Sequence, residues 1–274
     1  MPEQSLGVGI IVGDDFKTIR RCIESVIEDC DQVVVAIQNN TSQKTIDEIT
    51  KGGKRHPEKL EIHNFGEWID DFAAKRNFCF SKLHTDWLFW VDADDVVYQP
   101  QNLKGLIKNS DPQVGAIWLP YHYAMDEFLN ITTKYERERL LRAMYGWIWK
   151  GRLHETVAPI QQCKFVRSGD VIIRHDHLAG QARHDRNFRI LNLMYKEDPN
   201  EKRVWLYLGH QNFAAGKYTE ATKWYLKFGS DPGAMPIERF QALCYASKAL
   251  RILNDRQAID VALATVELCP QYKD

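Results

Sequence analysis

The most informative segment of this 274-residue chain is Trp87-Leu88-Phe89-Trp90-Val91-Asp92-Ala93-Asp94-Asp95. Its apolar part is typical of a buried strand, and three carboxylates follow at D-x-D-D spacing. A buried strand of an α/β protein brings its carboxyl end to the edge of the sheet where ligands bind. Carboxylates this close together repel unless a cation or hydrogen-bond donors offset their charge, and their oxygens suit Mg²⁺ or Mn²⁺. The stretch therefore predicts a metal–diphosphate site at a strand end. The alternative is that Asp94 or Asp95 caps a following helix.

Composition excludes several classes of protein. The net charge of -1 gives no overall basic field for nucleic acid or a membrane surface. The sequence has no apolar run long enough for a transmembrane helix, and the segment 1–12 resembles a first strand rather than a signal peptide. Its six cysteines are scattered without a C-x-x-C pair, which is typical of reduced thiols. We therefore expect a cytoplasmic protein.

Strand-like and helix-like segments alternate through the first half of the chain. Apolar, β-branched runs predict strands at residues 6–12, 32–37, 60–63, 87–92 and 114–121. Helical spacing of apolar residues runs through residues 19–27, 44–51 and 68–83. This alternation predicts an α/β fold with a doubly wound, mostly parallel sheet.

The C-terminal part is helical by pattern and approximates tetratricopeptide repeats. The residues of a first repeat unit are Trp205, Leu208, Gly209, Gly216, Tyr218, Ala221, Tyr225 and Pro232. A weaker second unit has Ala242, Ala246, Ala258, Ala262 and Pro270. Close packing of paired helices accounts for the same small residues. We expect a catalytic domain at residues 1–185 and a small all-α region at residues 186–274.

Several motifs in one order resemble glycosyltransferase family 2, in the branch with C-terminal tetratricopeptide repeats. The first two are W-I-D-D-F-A-A-K-R-N at Trp68–Asn77 and the W-V-D-A-D-D stretch that follows it. Trp149–Glu155 reads W-K-G-R-L-H-E and resembles the W-x-G-x-(V/L)-H-E signature of that branch, and Arg142 precedes it. Val171–His177 resembles its histidine-bearing strand. The resemblance implies the GT-A fold, which is Rossmann-like.

The resemblance also implies a function: a metal-dependent, inverting glycosyltransferase with a nucleoside-diphosphate sugar donor, UDP-glucose or a similar one. Glu155 would be the catalytic base, and Asp95 would support the metal or the donor sugar. The donor-binding residues that it implies are Val12, Gln38, Asp71, Arg76, Asp92, Ala93, Asp94, Trp149 and His154. Asp94 would bind Mn²⁺ or Mg²⁺ together with His175 or His177, and His175 is preferred because it directly follows the apolar strand.

The chain departs from the family at two loops. The second strand of relatives usually ends in an aspartate that helps to read the nucleobase, and another acid follows a few residues later. Gln38 and Gln43 stand at those positions here. A Lys-Asn-Glu of the first loop is replaced by Gly13-Asp14-Asp15. Because glutamine both donates and accepts hydrogen bonds, a uridine donor is not assured.

Each assigned residue has a purely structural alternative. Trp147 and Trp149 are either core aromatics or rings that stack on a sugar or the acceptor. His154 could only orient Glu155, and Arg76 could pair with Asp70 or Asp71. The mixed-charge run 134–142 is more typical of a solvated surface than of a phosphate clamp.

Two other functions fit parts of the pattern. A nucleotidyltransferase also places acids at a strand end, but it normally has a Gly-rich, basic first loop, and Gly13-Asp14-Asp15 is acidic. A repeat-bearing adaptor would have no need of Asp94 or Glu155, and both are present. The acceptor stays open between a glycan, a peptide or protein, and a modified nucleic-acid base. The helical region could also form a homo-oligomer.

Overall fold

The computed structural model describes residues 4–176 and 181–269, apart from the side chains of residues 181–183. The chain divides into two compact units, one within residues 1–178 and the other within residues 179–274. The predicted boundary after residue 185 falls inside the helix Gln181–Glu197, which belongs to the second unit. Within the described ranges, no helix is both long and apolar enough to cross a membrane.

A nine-stranded sheet forms the centre of the first unit, and a two-stranded sheet lies apart from it. In chain order the strands are β1 Leu6–Ile11, β2 Gln32–Ile37, β3 Leu60–Asn64, β4 Trp87–Asp92, β5 Asp95–Tyr98, β6 Val114–Met125, β7 Ile131–Arg142, β8 Trp147–Lys150, β9 Thr156–Pro159, β10 Lys164–Arg167 and β11 Ile172–His175. The large sheet has the order β3-β2-β1-β4-β7-β6-β11-β5, and β10 pairs with β6. β1 pairs in parallel with β2 and β4, whereas β6 and β7 form an antiparallel hairpin. The mostly parallel sheet confirms the predicted α/β class.

The helices of the first unit are α1 Ile19–Glu24, α2 Gln43–Gly52, α3 Phe72–Phe80 and α4 Asn102–Lys108. Every residue of β1 is buried, as expected of a central parallel strand that is covered on both faces. α1 buries Ile19, Cys22 and Ile23 in the same core as Val8 and Ile10. Because β1, β2 and β4 run in parallel, their carboxyl ends lie at the same edge of the sheet.

The helix predicted at residues 68–83 is shorter than its sequence pattern. Asp70 has a φ of 54°, in the left-handed region that interrupts a helix. Asp71 then caps α3, because its carboxylate accepts a hydrogen bond from the backbone N of Ala74 at 2.8 Å. Trp68 and Ile69 therefore lie in the loop that precedes the helix.

The acidic stretch lies at a strand end, as predicted. β4 ends at Asp92, and β5 begins at Asp95 after a two-residue turn. The alternative that Asp94 or Asp95 caps a helix is wrong, because a strand follows directly. The next helix, α4, begins at Asn102.

The mixed-charge run 134–142 is not a solvated surface throughout. It is part of β7, which is exposed in its first half and buried from Arg139 to Arg142. Glu138 is buried as well. The strand enters the sheet between β4 and β6, and this brings Arg139 beneath the acidic turn.

Within residues 181–269, the second unit contains the helices α5 Gln181–Glu197, α6 Lys202–Ala214, α7 Tyr218–Gly229, α8 Pro236–Ile252 and α9 Gln257–Leu268. Consecutive helices pack against each other from α5 to α9. Gly209 lies against the ring of Tyr225, and Ala221 and Ala242 are fully buried. The predicted all-α region is confirmed. Of the residues assigned to the second repeat unit, Ala262 is exposed and Pro270 lies outside the described residues.

Candidate active site

The carboxylate of Asp95 is fully buried and holds the acidic turn in place. Its Oδ1 accepts a hydrogen bond from the hydroxyl of Tyr121 at 2.9 Å and lies 3.1 Å from Nδ1 of His175. Its Oδ2 accepts from the backbone N of Asp92 at 2.9 Å and from Nη1 of Arg139 at 3.1 Å. Four partners thus offset the cost of burying this carboxylate.

Asp94 and His175 face each other beside Asp95. Nδ1 of His175 lies 3.4 Å from Oδ1 of Asp94, and both residues are buried. The ring of Tyr123 stacks on the imidazole with 5.2 Å between centroids. Burial opposes the charged form of His175, but the hydrogen bond to Asp95 and the charge of Asp94 outweigh it and raise the pKa of His175. The site therefore attracts positive charge.

These residues form a group that fits a divalent cation. One ligand atom each of Asp94, Asp95 and His175 lies within 4.8 Å of the others. Two carboxylates with one imidazole suit Mn²⁺ well, and Mg²⁺ through the carboxylates. His177, the other predicted ligand, lies outside the described residues.

Arg76 on α3 joins two of the predicted site residues. Its Nη2 lies 2.5 Å from Oδ1 of Asp92, and its Nε lies 2.6 Å from Oε1 of Glu155. Burial works against the ionised form of Asp92, yet Arg76 and Arg139 outweigh it and hold the pKa of Asp92 well below its usual range. Arg76 therefore pairs with Asp92 and Glu155, and the alternative pairing with Asp70 or Asp71 is wrong.

Arg139 is a buried cation under the site that sequence reasoning missed. Its guanidinium lies 3.7 Å from the ring centroid of Trp90 and 4.3 Å from that of Tyr121. Its Nε and Nη2 have no hydrogen-bond partner in the part of the chain that the structure describes. The alternation of Glu and Arg along β7 was the available signal, since a strand turns alternate residues to opposite faces.

Val12 and Gln38, two predicted donor-binding residues, meet at a buried lysine that sequence reasoning also missed. Nζ of Lys75 donates to the carbonyl oxygen of Val12 at 2.5 Å and to Oε1 of Gln38 at 3.2 Å. Burial lowers the pKa of Lys75 to about 8. Lys75 directly precedes Arg76, so α3 supplies cations to both parts of the site.

Four further residues were predicted to bind the donor, and they differ in burial and contacts. Ala93 is buried in the turn between β4 and β5, and Asp71 is the helix cap described above. Trp149 is buried against Trp90, with 5.0 Å between ring centroids, which favours its alternative as a core aromatic. Nε1 of Trp149 has no hydrogen-bond partner among the described residues. His154 is exposed and has a φ of 54°.

The side chains of Asn77 and Trp147 form hydrogen bonds with backbone groups of neighbouring elements. The side-chain amide of Asn77 makes two hydrogen bonds with the backbone of Trp149. Nδ2 of Asn77 donates to the carbonyl oxygen of Trp149 at 3.0 Å, and the backbone N of Trp149 donates to Oδ1 of Asn77 at 2.9 Å. Trp147 donates from Nε1 to the carbonyl oxygen of Arg142 at 2.9 Å. These bonds attach β8 to α3 and β7, and so fix the loop that carries Glu155.

The sequence model of the family described as Glycosyl transferase family 2 matches residues 8–186. This range is more than half of the chain and contains every residue of the site described above.

Curated relatives match shorter segments. Glycosyltransferase SunS of Bacillus phage SPbeta and the prophage-derived SunS of Bacillus subtilis are each 31% identical over 99 residues, which is 36% of this chain and 22% of the relative. A TPR repeat-containing protein of Synechococcus elongatus is 27% identical over 133 residues, 44% of this chain and 30% of that protein. The chain thus spans less than a third of the length of these relatives.

Solved structures with similar folds cover almost the whole chain at low identity. The mannosyltransferase PcManGT of Pyrobaculum calidifontis, in complex with GDP-Man and Mn²⁺, is 15% identical and has a TM-score of 0.48, covering 98% of this chain and 81% of its own. S. aureus TarS 1-349 in complex with UDP is 13% identical, also with a TM-score of 0.48, covering 95% and 88%. Both TM-scores are below 0.5, so the fold assignment rests on the strand order and the family match.

Proposed function

The chain belongs to glycosyl transferase family 2, and from this premise we propose that it moves a sugar from a nucleoside-diphosphate sugar to a nucleophilic acceptor. One observation carries the proposal. At the carboxyl end of β4, Asp94, Asp95 and His175 form a buried group that fits a divalent cation. Ligands of α/β proteins bind at this end of the strands.

Asp94 and His175 would hold Mn²⁺ or Mg²⁺ in this proposal, with His177 as the other histidine considered. The bound ion would neutralise the departing diphosphate as a Lewis acid. Asp95 already accepts hydrogen bonds from Tyr121 and Arg139, so its part is to fix the orientation of the turn and of His175. Asp92, held by Arg76, would contact the ribose or the base of the donor.

Glu155 would be the catalytic base. Arg76 binds its Oε1, and its Oε2 accepts no hydrogen bond from the described residues. The carboxylate is thus fixed in place with one oxygen available for the proton of the acceptor nucleophile. A single displacement of this kind inverts the anomeric configuration.

The donor base, the acceptor and the role of the helices belong to the proposal as well. We propose a uridine donor such as UDP-glucose, with Val12 and Gln38 at the base. The acceptor is a glycan, a peptide or protein, or a modified nucleic-acid base. The paired helices α6–α9 are proposed as tetratricopeptide repeats that present the acceptor or join two copies of the chain. The six free cysteines support a cytoplasmic location.

The test is nucleotide-sugar binding and turnover with the full chain. UDP-, GDP-, CDP- and dTDP-sugars are incubated with Mn²⁺ or with EDTA, and both binding and nucleoside diphosphate release are followed. Asp94→Asn and Glu155→Gln are compared with Asp47→Asn and Glu127→Gln, matched changes at exposed positions. We expect the wild-type protein to bind one donor in a metal-dependent manner. Of the four variants, only Asp94→Asn should abolish this binding. No metal-dependent binding of any donor would contradict the proposal and favour an adaptor.

A further inference from the structure

Lys75 is an interior lysine at the ends of two parallel strands. Lys75 is 2% exposed, and its side chain reaches from α3 to the residues that directly follow β1 and β2, where it binds Val12 and Gln38. Both acceptors are neutral oxygens. Among the described residues, no carboxylate lies within ion-pair distance of its Nζ, although Asp15 acts on it from farther away.

An unpaired interior cation of this kind lowers the stability of the fold. Burial opposes its charge, and this brings the pKa of Lys75 down to about 8. A methionine would fill the same space without that cost. Ionisable groups with shifted pKa values are typical of functional sites, and ligands of α/β proteins bind at the carboxyl ends of the strands, where Lys75 lies. The position of Lys75 therefore indicates contact with a ligand rather than a packing role.

The hydrogen bonds around Lys75 determine which groups face a ligand. A lysine ammonium only donates, so the amide of Gln38 must turn its oxygen to Lys75. Nε2 of Gln38 then donates to Oδ1 of Asn40 at 2.6 Å. The only side-chain acceptor that Gln38 has is thus turned toward the ammonium. Lys75 itself has three N–H groups, of which Val12 and Gln38 receive two.

An aromatic ring borders the same position. The ring centroid of Trp68 lies 6.0 Å from Nζ of Lys75, and the ring is half-buried. Its Nε1 donates to Oδ1 of Asp70 at 2.7 Å, which fixes the orientation of the indole. A partly exposed indole beside a hydrogen-bond donor suits a flat heterocycle, because the ring offers a stacking face and the donor binds the edge.

On the premise of the proposed function, we infer that Lys75 is a specificity-determining residue that donates a hydrogen bond to a carbonyl oxygen of the donor's nucleobase. Uracil, thymine, cytosine and guanine each carry such an oxygen. Adenine has no carbonyl oxygen. Its amino group, which lies beside N7, is a hydrogen-bond donor and would face the ammonium of Lys75, which is also a donor. Lys75 thereby selects against adenine nucleotides.

The test compares the affinity of the full chain for UDP, GDP, CDP, dTDP and ADP in the presence of Mn²⁺. The wild-type protein is expected to prefer one of the first four over ADP. Lys75→Met should lower the affinity for that nucleotide about tenfold, the size expected of one hydrogen bond to a charged group, and leave ADP unchanged. Lys54→Met, at an exposed position, is the matched control and should change neither affinity.

A second measurement uses the unaltered protein, so it does not depend on how a variant folds. The preference over ADP should fall as pH rises from 6.5 to 8.5, because Lys75 loses its proton. The other groups acting on its charge are Asp15 and Cys79, and burial raises the pKa of Cys79 to about 12, far outside that range.

Three results would overturn the inference. The first is an equal loss of affinity for all five nucleotides in Lys75→Met. The second is no loss of affinity for any of them in that variant. The third is a preference of the wild-type protein for ADP. A wild-type protein that binds none of the five nucleotides would instead contradict the proposed function, on which this inference rests.

Discussion

Nε of Arg76 lies 2.6 Å from Oε1 of Glu155, although 79 residues separate them in the sequence. The same guanidinium binds Asp92 at 2.5 Å, so one buried cation sets the distance between the proposed base and the end of β4. Arg76 also lies over the rings of Trp90 and Trp149, at 4.8 Å from each centroid. The position of Glu155 therefore depends on α3 as much as on its own loop.

Arg76→Met should destabilise the protein by about 3–5 kcal/mol, because two partly buried carboxylates, those of Asp92 and Glu155, lose their shared buried partner. Urea unfolding measures this loss. Arg55→Met is the matched control: Arg55 pairs with Glu28 at an exposed position, with 81% of its side chain accessible, and such pairs contribute about 0–1 kcal/mol. Equal effects of the two changes would show that the Arg76 bridge is not structural.

Glu155→Gln should lower kcat by a factor of about 10²–10⁴ while donor binding is retained, because an amide cannot take up the acceptor proton. The amide oxygen still accepts the hydrogen bond from Arg76, so the loop keeps its position. Steady-state rates and donor titration separate the two effects. An unchanged kcat would exclude Glu155 as the base.

Metal binding should depend on Asp94. A concentration of Mn²⁺ about 100 times its Kd stabilises a protein by about 2.7 kcal/mol when only the folded state binds. We expect a rise of Tm with Mn²⁺ in the wild-type protein and none in Asp94→Asn. The readout needs no substrate. A rise of equal size in both proteins would place the metal elsewhere.

Lys75→Met should be more stable than the wild-type protein at pH 7, and its advantage should shrink as pH rises. The pKa of Lys75 is about 8 in the folded state and near its ordinary value of 10.5 in the unfolded state. Between these values the unfolded chain binds more protons, so the wild-type free energy of unfolding rises with pH. Between pH 7 and pH 9.5, the difference in free energy of unfolding between Lys75→Met and the wild-type protein should therefore shrink by about 2 kcal/mol. Urea unfolding of both proteins at pH 7 and 9.5 measures it, and a constant gap would contradict the lowered pKa.

Two helical glycines should respond to alanine in opposite directions. A Cβ at Gly209 would lie 2.7 Å from the ring of Tyr225, so Gly209→Ala should destabilise the second unit by about 1–3 kcal/mol. At Gly105 in α4 nothing lies within 4 Å of a new Cβ, and Gly105→Ala should stabilise by about 0.5–1 kcal/mol. Thermal unfolding of both variants measures the two shifts. A stabilising Gly209→Ala would contradict the close packing of α6 on α7.

From the sequence alone we predicted the α/β class, the positions of the first four strands along the chain, the helical C-terminal region and the acids at the end of β4. These follow from local patterns: apolar runs, helical spacing and residue types at a strand end. Sequence motifs also predicted His175 and Glu155 as site residues. The start of α3 was misplaced, because the left-handed backbone at Asp70 leaves no periodic signal.

Which charged side chains pair with each other became apparent only from the folded structure. Arg76 joins Asp92 to Glu155, Arg139 supports Asp95, and Lys75 reaches Val12 and Gln38. Each of these contacts connects elements that are far apart in the chain. Side-chain charge is visible in a sequence, but the partner of a charge, and whether water screens it, depend on packing between strands and helices. The burial of Lys75 and Arg139 therefore could not be read from the sequence.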